Sequence, residues 1–132
     1  MNITAVLPGH VYSVAIFTKH LIDKAANASA GETADSLVEM ADRGEGNFWL
    51  IHEGDTPVGV CFWKIQERPA DKVLAVLALG GERGMEWAEM IRLCLKQHAV
   101  QLGASKLATI GRPGWAKIYG LKPTGYYYED AV

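Results

Sequence analysis

The chain has 132 residues, 49% of them hydrophobic and 21% charged, a composition typical of one globular domain and unlike that of disordered or fibrous proteins. A net charge of -2 and a pI near 6.1 provide no cationic field for a phosphate backbone, so we expect no nucleic-acid partner. No apolar run approaches the roughly 20 residues that cross a bilayer, and no signal-like segment is visible. These features predict a cytoplasmic protein without membrane association.

Cysteine and histidine usage gives no sign of a metal centre. Cys61 and Cys94 lie in apolar surroundings and are predicted to be reduced core thiols. The four histidines show neither the i, i+4 spacing of a helical metal pair nor a nearby cysteine pair. We therefore expect no metal site.

The N-terminal third of the chain has a helical pattern. Apolar residues recur at three- and four-residue steps over residues 11–25 and predict a helix of about four turns. A shorter helix is predicted around residues 37–41, with Thr33 or Ser36 as its cap. Ser36 and Glu39 have the spacing of a capping box.

The next segments have strand character. Residues 47–52 and 58–65 are rich in β-branched and aromatic side chains and flank a turn, which predicts a β-hairpin. Both strands are apolar on both faces, as in a sheet covered by helices on either side. Gly59 indicates a bulge or a close backbone approach.

A buried strand, a glycine turn and a long helix form the clearest unit of the sequence. Residues 72–79 lack polar alternation and are predicted to be fully buried. Gly80, Gly81 and Gly84 follow, and residues 85–102 then form an amphipathic helix. The predicted buried face of this helix carries Trp87, Ile91, Cys94, Leu95, His98 and Leu102.

The C-terminal part of the chain predicts three more elements. Residues 106–110 form a strand that runs parallel to the strand before the long helix, since a helix connects the two. A short helix over residues 115–119 and a last strand around residues 126–128 follow, the latter expected at the sheet edge. The fold class is α/β with one domain over residues 1–132.

The glycine turn has the properties of an anion site. The first N–H groups of a helix are unpaired and the helix dipole adds positive charge, so such a turn can hold a pyrophosphate. Glycines allow close approach of the ligand, and Arg83 adds an ionic contact. Glycines also make such turns in many proteins with no ligand. The P-loop and G-x-G-x-x-G nucleotide motifs are absent.

The order of these elements resembles the GNAT superfamily of acyl-CoA-dependent N-acyltransferases, over nearly the whole chain. The resemblance implies a central mixed, mostly antiparallel sheet flanked by helices. More narrowly, the chain is similar to small GNAT-like proteins encoded by bacteriophages. The shared features are Phe48-Trp49-Leu50, Val58-Gly59-Val60, Arg68-Pro69, Gly80-Gly81, Trp87 and Gly111-Arg-Pro-Gly-Trp115.

The resemblance implies acetyl-CoA as cosubstrate, with the pantetheine arm in a gap between strands 73–79 and 106–110. The pyrophosphate would then lie on residues 81–86. The implied contacts are Leu77, Ala78, Leu79, Gly80, Gly81, Glu82, Arg83, Gly84, Met85 and Glu86. The family loop reads [RQ]-x-x-G-x-[GA], whereas here Gly81 replaces the first basic or amide residue and Glu86 the last small one. The Glu86 carboxylate suits a helix N-terminus but repels a phosphate.

Acyl transfer needs an oxyanion site, an acid for the departing thiolate and a neutral amine. By resemblance, backbone N–H groups near residues 77–79 supply the first and Tyr119 the second, although Tyr119 sits closer to the following Gly-Leu pair than is usual and core packing is its alternative role. His52, Glu67 and Asp71 lie near strand ends as candidate bases, and their spacing selects none.

Tryptophans and an arginine complete the candidates. Trp49, Trp63 and Trp115 either line an acceptor pocket or build the core. Arg112 either meets a phosphate or caps a carbonyl. Tryptophans in strands more often pack in cores, and exposed arginines are more often non-functional.

Two functions follow from the sequence. The first is an N-acetyltransferase-like protein that transfers an acetyl or acyl group from CoA to an unknown amine, on a small molecule or a protein. The second is a catalytically inactive phage protein that keeps the GNAT scaffold for a structural or host-protein-binding role. A homodimer is compatible with either function.

Overall fold

The computed structural model describes residues 1–29, 31–110, 122–124 and 127–132, and their strands form one seven-stranded sheet. The strands are β1 (Asn2–Val6), β2 (Asn47–Glu53), β3 (Thr56–Glu67), β4 (Lys72–Gly81), β5 (Lys106–Ile110), β6 (Lys122–Thr124) and β7 (Tyr127–Ala131). The helices are α1 (Val11–Ala28), α2 (Ala34–Asp42) and α3 (Gly84–Gln101), with a 3₁₀ turn at Pro8–His10.

The sheet is mixed and mostly antiparallel, in the order β1-β2-β3-β4-β5-β7-β6. Only β4 and β5 pair in parallel among the described strands, because α3 connects them. The predicted fold class, the β2–β3 hairpin and the parallel pair are confirmed. None of the described helices has the length and apolar composition to cross a membrane.

Helices cover both faces of the sheet, and each face has its own hydrophobic cluster. The cluster on the α1 and α2 side comprises Val11, Leu21, Ile22, Ala25, Ala26, Leu37, Ala41, Phe48, Val60, Phe62 and Ala78. The cluster on the α3 side includes Trp49, Ile51, Val58, Cys61, Trp63, Leu74, Val76, Leu79, Trp87, Ile91 and Leu95. Strands β2, β3 and β4 contribute to both clusters, which explains why their sequences lack polar alternation.

The first strand is absent from the prediction. Residues 2–6 pair antiparallel with β2, with Thr4 opposite Leu50. Three of the five residues are exposed, so the segment has too few apolar positions to show a strand pattern. Tertiary pairing with a buried neighbour makes it a strand, and the helical interpretation of the N-terminal third is wrong for these residues.

Thr33, one of the two predicted caps, is the N-cap of α2, but the capping box differs from the prediction. The Thr33 hydroxyl accepts from the Ser36 amide, and the Ser36 hydroxyl accepts from the Thr33 amide, each at 3.0 Å. The capping box is therefore Thr33 with Ser36, and the predicted pair of Ser36 with Glu39 is wrong. Thr33 has the extended backbone of a cap (φ −109°, ψ 160°), whereas Ser36 is already inside the helix.

Burial on α3 differs from the prediction at its C-terminal end. His98 and Leu102 are exposed and Cys94 is half-buried, whereas Ala88 and Ala99 are buried. Leu102 lies just beyond the helix as its cap, so it leaves the buried face. Both thiols are free, but only Cys61 is a core thiol, and burial raises its pKa. In β4, predicted to be fully buried, Leu77 is half-buried.

The C-terminal strand lies inside the sheet. β7 pairs with β5 on one side and with β6 on the other, so the expected edge position is wrong for Tyr127 and Tyr128, and Tyr126 lies outside the described residues. The edge on this side is β6, which the prediction did not include. Pro123 at its centre suits an edge, since proline cannot donate to a ladder hydrogen bond.

Candidate functional site

β4 carries a bulge at the level where its pairing with β5 ends. Phe62 pairs with Ala78 and Trp63 with Val76, so Leu77 has no opposite residue on β3. The β5 register runs from Val73–Lys106 to Val76–Thr109 and stops there. Within the described residues, the backbone of β4 beyond Val76 therefore has no partner on the β5 side. It presents amide and carbonyl groups as the edge of a sheet does.

The bulge also changes which face the side chains of β4 occupy. Leu74 and Val76 pack in the α3-side cluster, whereas Leu77 and Ala78 both pack in the opposite one. Two consecutive residues on one face are what an inserted residue produces in a strand of period two. The bulge is thus part of the packed core and holds this backbone in place.

Gly80 and Gly81 are required by packing. A Cβ at Gly80 would lie 2.8 Å from Cα of Ala25, so α1 approaches β4 directly over this residue. A Cβ at Gly81 would lie 2.3 Å from the Val58 carbonyl oxygen, and the φ of +148° is one that side chains rarely adopt. These two glycines allow close contact with α1 and β3, a role independent of any ligand.

Packing also explains Gly59, where the sequence predicts either a bulge or a close backbone approach. The β2–β3 register shifts beside it, between Ile51 and His52, and a Cβ at Gly59 would lie 3.0 Å from Trp87 Cζ2. The close approach of the Trp87 ring therefore explains the glycine, and the bulge lies at the neighbouring position.

Gly84, in contrast, faces open space at the start of α3. The nearest atom to a Cβ there is Trp87 Cζ2 at 3.7 Å, an ordinary contact. The preceding Arg83 is the N-cap, with φ 57° and ψ 35°, and its side chain does not cap the helix. The Glu86 amide donates to the Arg83 carbonyl at 2.9 Å, whereas the amides of Gly84 and Met85 precede any possible acceptor within the helix.

Two hydrogen bonds anchor this turn to the rest of the fold. The Glu82 amide donates to the Val58 carbonyl at 2.7 Å, and the Trp87 indole N–H donates to the Glu82 carbonyl at 2.8 Å. Because Val58 lies in β3 and the Trp87 ring is buried, the turn is held from both sides. The start of α3 is therefore fixed relative to the open edge of β4.

Arg83 is held by two carboxylates, and we call Glu53, Arg83 and Glu86 the Arg83 clamp. Its Nε and Nη2 donate to Glu86 at 2.5 and 2.9 Å, and its Nη1 and Nη2 donate to Glu53 at 3.3 and 3.1 Å. The guanidinium lowers the pKa of both carboxyl groups, and they raise the pKa of Arg83. All three groups are charged at neutral pH.

Carboxylates and cations lie close together around the turn. Beside the clamp, Lys24 Nζ lies 3.6 Å from a carboxylate oxygen of Glu82. The charged side chains described around the start of α3 are thus the carboxylates Glu53, Glu82 and Glu86 and the cations Lys24 and Arg83. The N-terminal ammonium also acts on Glu53, so an incoming anion meets carboxylates that are largely offset by cations, and the repulsion from Glu53 and Glu86 beside Arg83 opposes the attraction of the helix dipole.

The three candidate bases are separated, and two of them lie far from the turn. Glu67 and Lys72 pair at one end of the β3–β4 ladder and Gly59 and Gly81 at the other. Nine residues of strand separate these ends by about 30 Å. Asp71 lies at the same distant end as Glu67, where it bonds to Arg68 at 2.6 and 2.7 Å.

His52 lies at the end of the sheet nearer the turn, next to Glu53. Its Nδ1 donates to the Gly54 carbonyl at 2.8 Å, which leaves Nε2 to accept from the Thr4 hydroxyl at 2.7 Å. Both ring nitrogens of His52 are therefore engaged in structural hydrogen bonds.

The hydrogen bonds between Asp71 and Arg68 should make the stability of the fold depend on pH. The hydrogen bonds from Arg68 lower the pKa of Asp71 below 3.8, so its contribution is present at neutral pH and is lost as the pH falls through the folded pKa. We expect the free energy of unfolding to decline more steeply below about pH 4 in the wild type than in Asp71→Asn. Urea titrations from pH 7 to pH 3 measure this difference, and parallel pH profiles would contradict it.

The tryptophans of β2 and β3 belong to the core. Trp49 and Trp63 are 5% and 3% exposed, lie edge-to-face at 5.2 Å and contact the ring of His98 on α3. The structure favours core packing over an acceptor pocket for both.

The remaining candidates Tyr119, Trp115 and Arg112 lie outside the described residues, as does the predicted helix over residues 115–119. Among the residues that the structure describes, no group of three or more histidine, cysteine, aspartate or glutamate side chains comes together to hold a metal ion.

Sequence comparison finds no matching family model and no matching curated protein. Solved structures are similar in fold. A probable acetyltransferase superimposes with a TM-score of 0.71 at 13% identity, covering 95% of this chain and 92% of that one. An N-acetyltransferase from Staphylococcus aureus Mu50 gives 0.67 at 11% identity, covering 97% and 92%.

A GNAT family acetyltransferase from Brucella melitensis, solved in complex with acetyl-CoA, superimposes with a TM-score of 0.66 at 16% identity. The match covers 98% of this chain and 86% of that one. The similarity extends over nearly the whole length of both chains. The chain has the fold of the GNAT acetyltransferases.

Proposed function

We propose that the chain is an acyl-CoA-dependent N-acyltransferase that acts on an amine acceptor. One observation carries the proposal: among the residues that the structure describes, pairing between β4 and β5 ends at Val76, so the β4 backbone from the bulge at Leu77 onward has no described partner on the β5 side. An extended, amide-containing arm such as pantetheine can pair with this edge as an added strand does. The similarity in fold to a protein solved with acetyl-CoA supports this assignment.

In this proposal the residues from Leu77 to Glu86 form the donor site. The backbone of Leu77, Ala78 and Leu79 pairs with the pantetheine arm, and one of its N–H groups stabilises the oxyanion that forms on the thioester carbonyl. The pyrophosphate lies at the start of α3, where the Gly84 side leaves room for it.

The chemical step joins the amine nitrogen of the acceptor to the thioester carbonyl carbon. The carbon–sulfur bond then breaks, and the CoA thiolate takes a proton from the hydroxyl of Tyr119. The N–H proton that the attacking nitrogen gives up on becoming an amide restores that hydroxyl. An acceptor that arrives as an ammonium must lose its extra proton before its nitrogen can attack. None of His52, Glu67 and Asp71 is placed to accept that proton. We therefore propose that the acceptor amine enters in its neutral form.

A second function is favoured by the Arg83 clamp. Its two carboxylates pair with the guanidinium of Arg83 and repel an incoming phosphate, which suits a protein that has lost CoA binding. Gly80 and Gly81 are also fully explained by packing. In this alternative the chain is a non-catalytic phage protein that keeps the fold for binding a host protein or a virion component.

Release of the CoA thiol from acetyl-CoA in the presence of a panel of amines tests the first function. We expect amine-dependent release, with Tyr119→Phe lowering kcat by about a hundredfold and leaving acetyl-CoA affinity nearly unchanged. Tyr12→Phe is the matched control, because Tyr12 is exposed on α1, and it should behave as the wild type. No acetyl-CoA binding and no amine-dependent release, in a protein shown to be folded, would favour the non-catalytic alternative.

A further inference from the structure

The Arg83 clamp joins two parts of the chain that are 30 residues apart. Glu53 ends β2, whereas Arg83 and Glu86 lie at the start of α3. Four hydrogen bonds engage Nε, Nη1 and Nη2 of the guanidinium, so both of its forked edges are taken by carboxylate oxygens. The geometry that carboxylates use here is the geometry that a phosphate group uses with arginine.

From this geometry we infer that Glu53 and Glu86 compete with the phosphate groups of the acyl donor for binding to Arg83. The inference rests on the proposed function, because it assumes that an acyl-CoA pyrophosphate approaches the start of α3. Arg83 is then a specificity-determining residue that the two carboxylates hold until phosphate oxygens displace them. Donor affinity is set by this exchange and by the amides of Gly84 and Met85.

The exchange is feasible because the clamp is on the surface. The side chains of Arg83, Glu53 and Glu86 are 40%, 56% and 53% exposed. Exposed ion pairs contribute little net stability, so their opening needs no rearrangement of the core. The backbone of Arg83 stays in place during the exchange, because the neighbouring Glu82 is anchored by its amide and by Trp87.

The clamp is placed to govern binding. A Cβ at Gly84, directly after Arg83, would meet only an ordinary 3.7 Å contact with Trp87, and the two amides that follow the N-cap point away from the helix body. A phosphate at these amides lies next to the guanidinium and next to both carboxylates. Removing one carboxylate charge therefore frees Arg83 and also removes a repulsion.

Calorimetric titration with acetyl-CoA of the folded full chain tests the inference. We expect Glu53→Gln and Glu86→Gln each to tighten binding about threefold to tenfold, and the double variant to tighten it further. Arg83→Gln should weaken binding, and in that background Glu53→Gln should give a clearly smaller gain than in the wild type. This difference separates release of the arginine from simple loss of repulsion.

Matched controls remove the same charge from nearby positions outside the clamp. The two controls are Asp55→Asn and Glu89→Gln. Asp55 is two residues from Glu53, and Glu89 is on α3, where its side chain is 71% exposed. Both should bind acetyl-CoA as the wild type does. Equal gains in the controls and in the clamp variants, or equal gains with and without Arg83, would overturn the inference.

The outcomes also separate this inference from the proposed function. If the wild type binds acetyl-CoA and the clamp variants bind it with the same affinity, the inference is overturned and the proposed function stands. Binding that appears only in the clamp variants would support the inference and contradict the proposed function of the wild type. The absence of binding in every variant, at millimolar acetyl-CoA, would overturn both.

Discussion

Replacing Gly81 with alanine should destabilise the fold by about 3 kcal/mol or more, because the new Cβ meets two penalties at once. It would lie 2.3 Å from the Val58 carbonyl oxygen and 2.5 Å from Cα of Gly59, both backbone atoms that cannot turn away. The φ of +148° adds a strain that alanine cannot relieve. Urea denaturation followed by far-UV circular dichroism measures the loss.

Gly84→Ala is the matched control for this variant, since it adds the same methyl group three residues later. Its Cβ has only an ordinary 3.7 Å contact with Trp87, and alanine favours a helix. We expect its free energy of unfolding to equal or slightly exceed that of the wild type. A Gly81→Ala protein as stable as Gly84→Ala would show that the close β3–β4 approach is wrong.

Replacing Gly84 with glutamate should abolish acetyl-CoA binding while leaving the fold intact. The side chain enters open space, and a carboxylate in the first turn of a helix is favourable to its dipole. The same carboxylate adds a further negative charge at the place proposed for the pyrophosphate. We expect affinity to fall at least a hundredfold, measured by calorimetry, with thermal unfolding unchanged within a few degrees.

Val100→Glu controls for charge and helix position in this experiment. Val100 is on α3, 63% exposed, and lies 16 residues from Gly84, which is about 24 Å along the helix. Its acetyl-CoA affinity should match that of the wild type. If folded Gly84→Glu keeps its affinity for acetyl-CoA, the pyrophosphate does not lie at the start of α3.

The central part of the fold could be predicted because its sequence patterns are strong. The β2–β3 hairpin, β4 and α3 each bury a long run of apolar side chains, and burial dominates local preference there. β1 was missed because a half-exposed strand of five residues owes its conformation to pairing with β2. The position of β7 was missed because strand order depends on contacts between distant segments.

The order of strand, glycine turn and helix at the candidate site could be predicted from the sequence, but the contacts of its residues could not. The sequence left open whether the three glycines bind a ligand or only turn the chain; Gly80 and Gly81 contact the backbones of α1 and β3, and only at Gly84 would a Cβ meet no more than an ordinary contact. Those contacts are tertiary and leave no local signal. Glu53 was not a candidate at all, because its partner Arg83 is 30 residues away and any acidic residue at a strand end has the same pattern.

Calorimetric titration of the wild-type chain with acetyl-CoA tests most directly whether the edge of β4 beyond Val76 is an acyl-donor site. We expect binding at one site per chain, with a dissociation constant below the millimolar range that decreases further when the Glu53 or Glu86 charge is removed. No binding heat at millimolar acetyl-CoA, in a protein shown to be folded, would contradict it.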